Sequence, residues 1–136
     1  PFLVGDDGIR MSLAGAQPKL PIIMVDNQPA LPGVGQPTTH IVKPEIERFP
    51  GSVVNEAFAM RLAAAVGLPV ERVWARRAGD IAYLLVERFD RLVAQASLTR
   101  LHQEDFCQAM GFPPEHKYAA EKGPSFSDCF TLVRDN

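Results

Sequence analysis

Apolar positions along this chain form short β-like runs, then one long helical stretch, then short runs again. Phe2–Val4 and Ile9–Ser12 flank Gly5-Asp6-Asp7-Gly8, which carries a hairpin-turn signal. Leu20–Val25 is an apolar β-like run closed by the turn residues Asp26-Asn27. Pro29–Pro37, punctuated by proline and glycine, reads as loop. Thr38–Lys43 is β-branched and strand-like, and Pro44 ends it. Ser52–Val66 is the clearest helix, with Ser52 as cap and Asn55-Glu56 as an acidic first turn. There Val53, Phe58, Leu62 and Val66 fall near helical spacing, and Gly67 and Pro69 supply the stop.

Beyond the helix, Val70–Ala78 and Ile81–Val86 read as two strands joined at Gly79-Asp80. A third short strand is expected around Ser97–Leu101. A short helix then runs from His102 or Gln103 to Met110, ended by Gly111 and Pro113. Pro114–Pro124 reads as loop, and a last helix begins with Ser125 or Ser127 as its cap. Strands, one helix, strands and then helices predict an α+β fold: an antiparallel sheet, one main packing helix and short C-terminal helices. Pro1 is not Met, and Asn136 follows an apolar stretch, Phe126–Val133, that reads as a helix in progress. Both ends are therefore expected to be cuts in a longer protein.

Composition narrows the function classes. With 136 residues and 46% hydrophobic content, the chain can build one compact core. A formal net charge of −2 lacks the basic excess of a nucleic-acid-coating surface, so direct nucleic-acid binding is not expected. No apolar run is long enough to span a bilayer, and Pro1–Arg10 lacks the layout of a signal peptide. Cys107 and Cys129 read as thiols of a cytoplasmic protein, with a disulfide as the minority reading. His40, His102 and His116 do not complete a metal-ligand spacing with them, so no metal site is expected.

Three segments could carry chemistry. Ser12-Leu13-Ala14-Gly15-Ala16-Gln17-Pro18-Lys19 is rich in small residues, whose backbone N–H groups can approach an anion closely. It is not a Walker loop, since no Gly-Lys-Ser/Thr ending leads into a helix, and it equally suits an ordinary β-turn. Lys43 ends a β-branched strand, where its ammonium could meet a phosphate or simply face solvent. Glu56, early in the following helix, could pair with Lys43 and orient it, as in protein kinases, or could merely favour the helix N-terminus. Glu87-Arg88-Phe89-Asp90 follows an apolar strand. Its backbone could bond an adenine edge while Phe89 covers the base; alternatively it is a charged strand exit with Phe89 in the core. Flexible loop, strand lysine, helix glutamate and strand exit occur in the order of a kinase N-lobe.

The motifs also resemble, in order, those of the HipA toxin kinase family. They are Ser12–Lys19, Thr39-His40-Ile41-Val42-Lys43-Pro44, Asn55-Glu56, Val86–Arg91 and Leu101–Ala109, with Lys117-Tyr118 and Gly123-Pro124-Ser125 as a further landmark. The resemblance covers nearly the whole chain. It implies a bacterial serine/threonine kinase of a type II toxin–antitoxin system, using ATP and Mg, paired with a HipB-like DNA-binding antitoxin. The implied protein substrate is a translation component, typically glutamyl-tRNA synthetase.

By the same resemblance Ala14, Gly15, Ala16, Gln17, Pro18 and Lys19 form the phosphate-covering loop, and Lys43 is the ATP phosphate lysine. Glu87, Arg88 and Phe89 form the adenine-side hinge. Ser12 matches the loop serine that family members autophosphorylate, and a dianion there would oppose loop closure over phosphates. The family's catalytic loop, an Asp followed by His and then Lys-Asn, does not occur in the chain, nor does its later metal-binding Asp. The expected layout is therefore a kinase N-lobe over residues 1–124 and, over 125–136, the start of a helix leading to an absent C-lobe. Such a piece would be inactive alone and at most a weak nucleotide binder. The alternative is a non-catalytic lobe that docks a partner protein.

Overall fold

A computed structural model describes residues 17–94, 97–116 and 118–135. The chain divides into two compact units, one running up to Thr99 and the other starting at Arg100. The first contains a five-stranded sheet in the order β2-β1-β3-β5-β4, antiparallel in every pairing. Its strands are β1 (Leu20–Val25), β2 (Gln28–Ala30), β3 (His40–Pro44), β4 (Val73–Ala78) and β5 (Ile81–Glu87). One helix, α1 (Ser52–Ala65), packs on the sheet. Two further strands, β6 (Arg91–Ala94) and β7 (Ser97–Arg100), form a separate two-stranded ribbon. The hairpin expected over Phe2–Ser12 lies outside the described residues.

Asp26 and Asn27 both adopt positive φ, 49° and 61°, which the two-residue hairpin turn between β1 and β2 demands. β2 itself overlaps the segment expected to be loop, Pro29 and Ala30 lying within it. Pro29 hides it from a strand reading, because proline cannot donate to a ladder. The sheet accommodates it on an outer strand, where proline is tolerated. β6 is likewise a strand that the apolar pattern did not reveal.

The expected start of α1 needs correction. Gly51, not Ser52, is the N-cap, at φ 85°, and it provides no side-chain cap. The Glu45 carboxylate reaches over instead and accepts from the Gly51 and Val53 N–H groups. It places negative charge where the helix has unsatisfied donors. Ser52 Oγ is occupied elsewhere, accepting from Ile46 N–H at 2.9 Å. Glu56 lies beyond the first turn, which contains no acidic residue.

The helix face also differs from the spacing argument. Val53 and Ala57 are buried against Val73, Leu84 and Val86, with Met60 and Ala82 packed alongside. Each fully buried side chain of Val or Leu size contributes about 1.5–3 kcal/mol. Phe58, Leu62 and Val66 remain 65%, 52% and 67% exposed, so of the expected stripe only Val53 enters the core. The small Ala57 occupies the contact because it lets the helix backbone approach the sheet.

In the second unit, α2 (Phe106–Ala109) is capped by Asp105, whose carboxylate accepts from Gln108 N–H while Gln108 Oε1 accepts from Asp105 N–H. Ser125 caps α3 (Phe126–Asp135), accepting from Asp128 N–H. Within the segment expected as loop, Pro114–His116 and Ala119–Glu121 form 3-10 turns. Cys107 and Cys129 are not joined in a disulfide.

Gly123 explains the landmark beside it: a Cβ there would collide with the carbonyl oxygens of His116 and Tyr118. Gly123→Ala is expected to lower stability by about 1–3 kcal/mol, the usual cost of forcing extra volume into a closed site. Urea unfolding of the full-length protein, followed by proteolysis within 112–124, would detect it. Among the described residues no helix is long and apolar enough to cross a membrane.

Candidate functional site

The β3–β5 register decides which side chains share a face. Lys43 lies opposite Leu84, and Ile41 opposite Val86. Because strand side chains alternate, Ile41 and Lys43 point to the face that α1 covers through Leu84 and Val86. There Lys43 Nζ donates to Glu56 Oε1 at 2.5 Å, with the two side chains 23% and 32% exposed. The strand lysine is thus held by the helix glutamate rather than facing solvent alone.

The loop expected to cover phosphates is described only at its end. Ser12, Ala14, Gly15 and Ala16 lie outside the described residues. Gln17 Nε2 donates to the Pro44 carbonyl at 3.3 Å, which anchors the end of the loop one residue past Lys43. Pro18 is exposed, and Lys19 half-buried, at the entry to β1.

Glu87, Arg88 and Phe89 occupy the exit of β5. The Glu87 carboxylate lies on the opposite face from Lys43 and is already engaged. Arg72 Nε donates to Oε2 at 2.8 Å, Arg72 Nη2 sits 2.6 Å from Oε1, and His40 Nε2 sits 3.8 Å from Oε1. Burial holds the His40 imidazole below its ordinary pKa, with Arg72 and Arg76 acting in the same direction and Glu87 opposing. Phe89 is 63% exposed, so it is not a core residue. Its N–H finds no acceptor among the described residues. On the strand pair, the exit at Glu87 lies three residues from the Lys43 level, roughly 10 Å at the usual strand rise.

Beside this exit lies a cluster centred on Asp90, a motif residue for which the sequence suggests no role of its own. Asp90 is 2% exposed. Arg88 grips both of its oxygens, Nε to Oδ1 at 2.9 Å and Nη2 to Oδ2 at 2.8 Å, and Arg91 Nη1 donates to Oδ2 at 2.7 Å. The Arg88 hydrogen bonds, aided by both guanidinium charges, hold the Asp90 carboxyl below the usual carboxylate range although burial pushes it up. The available signal was the alternation of opposite charges in Arg88-Phe89-Asp90-Arg91 directly after an apolar strand. Among the described residues no group of three His, Cys, Asp or Glu side chains converges as a metal site.

Comparison with known proteins shows the family of the chain. A family model described as the HipA-like C-terminal domain matches residues 11–136. Y4mE of Sinorhizobium fredii is 58% identical over 98% of this chain and 32% of its own length. The serine/threonine-protein kinase toxin HipA of Shewanella oneidensis is 37% identical over 98% of this chain and 33% of its own length. The chain thus spans about a third of the length of these relatives. Among solved structures, the Shewanella oneidensis complex of HipA, HipB and operator DNA contains a chain that matches 94% of this one. That match has a TM-score of 0.70 and 35% identity, and it covers 30% of the neighbour.

Proposed function

Because the chain belongs to the HipA-like C-terminal family, we propose that it forms the nucleotide-holding lobe of a HipA-type serine/threonine kinase. The single observation that carries this reading is the Lys43–Glu56 ion pair, joining a strand lysine to the helix that follows it. A lysine held in this way can bring its ammonium to phosphate oxygens, which is how kinases use the equivalent pair. Ala14 to Lys19 would lie over the same phosphates with backbone N–H groups, Gln17 tying the loop's end to Pro44. At the other end, the Phe89 N–H, which has no acceptor among the described residues, suits the edge of an adenine, and the exposed Phe89 ring suits its face. Arg88 contributes only its backbone there, since its guanidinium is committed to Asp90.

ATP would supply the transferable phosphoryl group. No carboxylate cluster among the described residues suits an accompanying magnesium ion, so its protein ligands would come from elsewhere in the full-length protein. In this reading residues 1–124 are the kinase N-lobe, and 125–136 begin the helix that leads to a C-lobe. The chain alone would be catalytically inert, because phosphoryl transfer needs positioned base and metal-held charge as well as a phosphate clamp. The full-length protein would act in the cytoplasm as a toxin on a translation component such as glutamyl-tRNA synthetase. A HipB-like antitoxin would restrain it, as the named components of the Shewanella oneidensis complex suggest.

Calorimetry on the full-length protein is expected to show ATP binding that magnesium strengthens. Incubation with radiolabelled ATP is expected to place phosphate on Ser12. Phosphate located wholly elsewhere by mass spectrometry would reject the Ser12 role, and failure to bind ATP at millimolar concentration would reject the lobe assignment. A non-catalytic docking lobe is the second reading; the exposed Phe58 and Leu62 on α1 favour it, and absent ATP binding would bring it forward.

A further inference from the structure

Burying a carboxylate and two guanidinium groups is an expensive way to stabilise a fold. Well-packed apolar side chains of similar volume often do as well or better. The Arg88–Asp90–Arg91 cluster therefore invites the question of what it holds in place. All three side chains are at most 8% exposed. Both arginines also reach back to Thr38, two residues ahead of β3. Arg88 Nη1 donates to Thr38 Oγ1 at 3.2 Å, and Arg91 Nε donates to the Thr38 carbonyl at 2.8 Å. Arg88 N–H adds a backbone bond to the Thr39 carbonyl at 2.9 Å. The chain leaving β5 is thus tied to the chain entering β3 through one carboxylate.

Phe89 is the residue between the two anchored ones. Its neighbours Arg88 and Asp90 are locked, while Phe89 itself is exposed and its N–H has no acceptor among the described residues. We propose that Asp90 is a positioning residue for the nucleotide base: by clamping Arg88 and Arg91 onto Thr38, it fixes the direction in which the Phe89 N–H is presented. This rests on the reading of Glu87–Phe89 as the base-contacting segment. Asp90 touches no ligand in this account. It acts through the backbone on either side of Phe89, in the way that supporting hydrogen bonds lock a binding constellation.

The test uses the full-length protein and two ligands, adenosine and inorganic triphosphate, which report separately on the two ends of the site. Two variants are compared with the parent at a temperature where melting curves show them folded. Asp90→Asn removes the charge. Thr38→Val keeps the shape but removes the Arg88 link, and it decides the matter if Asp90→Asn does not fold. Both are expected to weaken adenosine binding, Asp90→Asn by about tenfold, the equivalent of one well-placed hydrogen bond. Triphosphate affinity is expected to stay within about twofold. Unchanged adenosine affinity in folded variants would overturn the proposal. Equal weakening of both ligands would also overturn it, by reducing the cluster to a structural role. A parent protein that binds triphosphate but no adenosine would instead remove the base-contacting reading itself, and this proposal with it.

Discussion

Replacing Lys43 by Met in the full-length protein is expected to cut phosphoryl transfer by about 100- to 1000-fold, the usual loss when one preorganised charge partner of a reacting group is removed. The ammonium stands 2.5 Å from the Glu56 carboxylate on a sheet face that the register fixes. Methionine keeps the length of the stem and discards the charge, so packing on that face is preserved. A loss of stability cannot account for an effect of this size. Both side chains of the pair are partly exposed, and such pairs contribute roughly 0–1 kcal/mol. Glu56→Gln should cost less, about tenfold, because the ammonium survives but is no longer oriented. The double variant should be no worse than Lys43→Met alone, since the two residues act as one unit. Rates of self-phosphorylation, read beside melting curves, check all three. Activity of Lys43→Met within threefold of the parent would end the assignment of this lysine to the phosphates.

The second large effect concerns stability. Asp90→Ala leaves Arg88 and Arg91 buried without a counter-charge, and breaking a buried pair on one side costs about 3–5 kcal/mol. Against a typical total of about 5–15 kcal/mol, that is enough to lower the urea midpoint sharply. The pH dependence follows from the direction of the shift. The folded-state pKa of Asp90 lies below its unfolded value of 3.8. Its contribution is therefore fully present above that unfolded value and is lost as pH falls through the folded one. The parent should lose this stability only below about pH 4, and Asp90→Ala should show a smaller further loss over the same acid range. His40 acts in a separate window. Its folded pKa is lowered, so its protonation destabilises the fold as pH falls from about 6.5 towards that lower value. Urea titrations at pH 7, 5 and 3 separate the two. A parent and an Asp90→Ala variant with equal midpoints at pH 7 would contradict the buried-pair account.

Much of the local structure was readable in the chain because its causes are local. Apolar runs mark Leu20–Val25 and Ile81–Val86, turn chemistry marks Asp26-Asn27 and Gly79-Asp80, and a serine cap, Ser125 of the two candidates Ser125 and Ser127, marks the start of α3. The pairing of Lys43 with Glu56 was also open to inference, since a strand lysine followed by a helix glutamate is a recurrent order. Where reading failed, the deciding partner was distant. Gly51 is the N-cap of α1, and the donors there are met by the Glu45 carboxylate rather than by the adjacent Ser52. Phe58 and Leu62 obey helical spacing, yet the approach of α1 to the sheet chose Val53 and Ala57 instead.

The sequence by itself determined the order and type of the principal elements, the antiparallel α+β class and the family to which the chain belongs. These depend on side-chain periodicity and turn preference, which act over a few residues at a time. Only the tertiary structure decided that Asp90 is a buried anchor, since its value comes from Thr38, a residue some fifty positions away. Burial and ion pairing depend on what folding brings together across the sheet, and no short window of sequence contains that information.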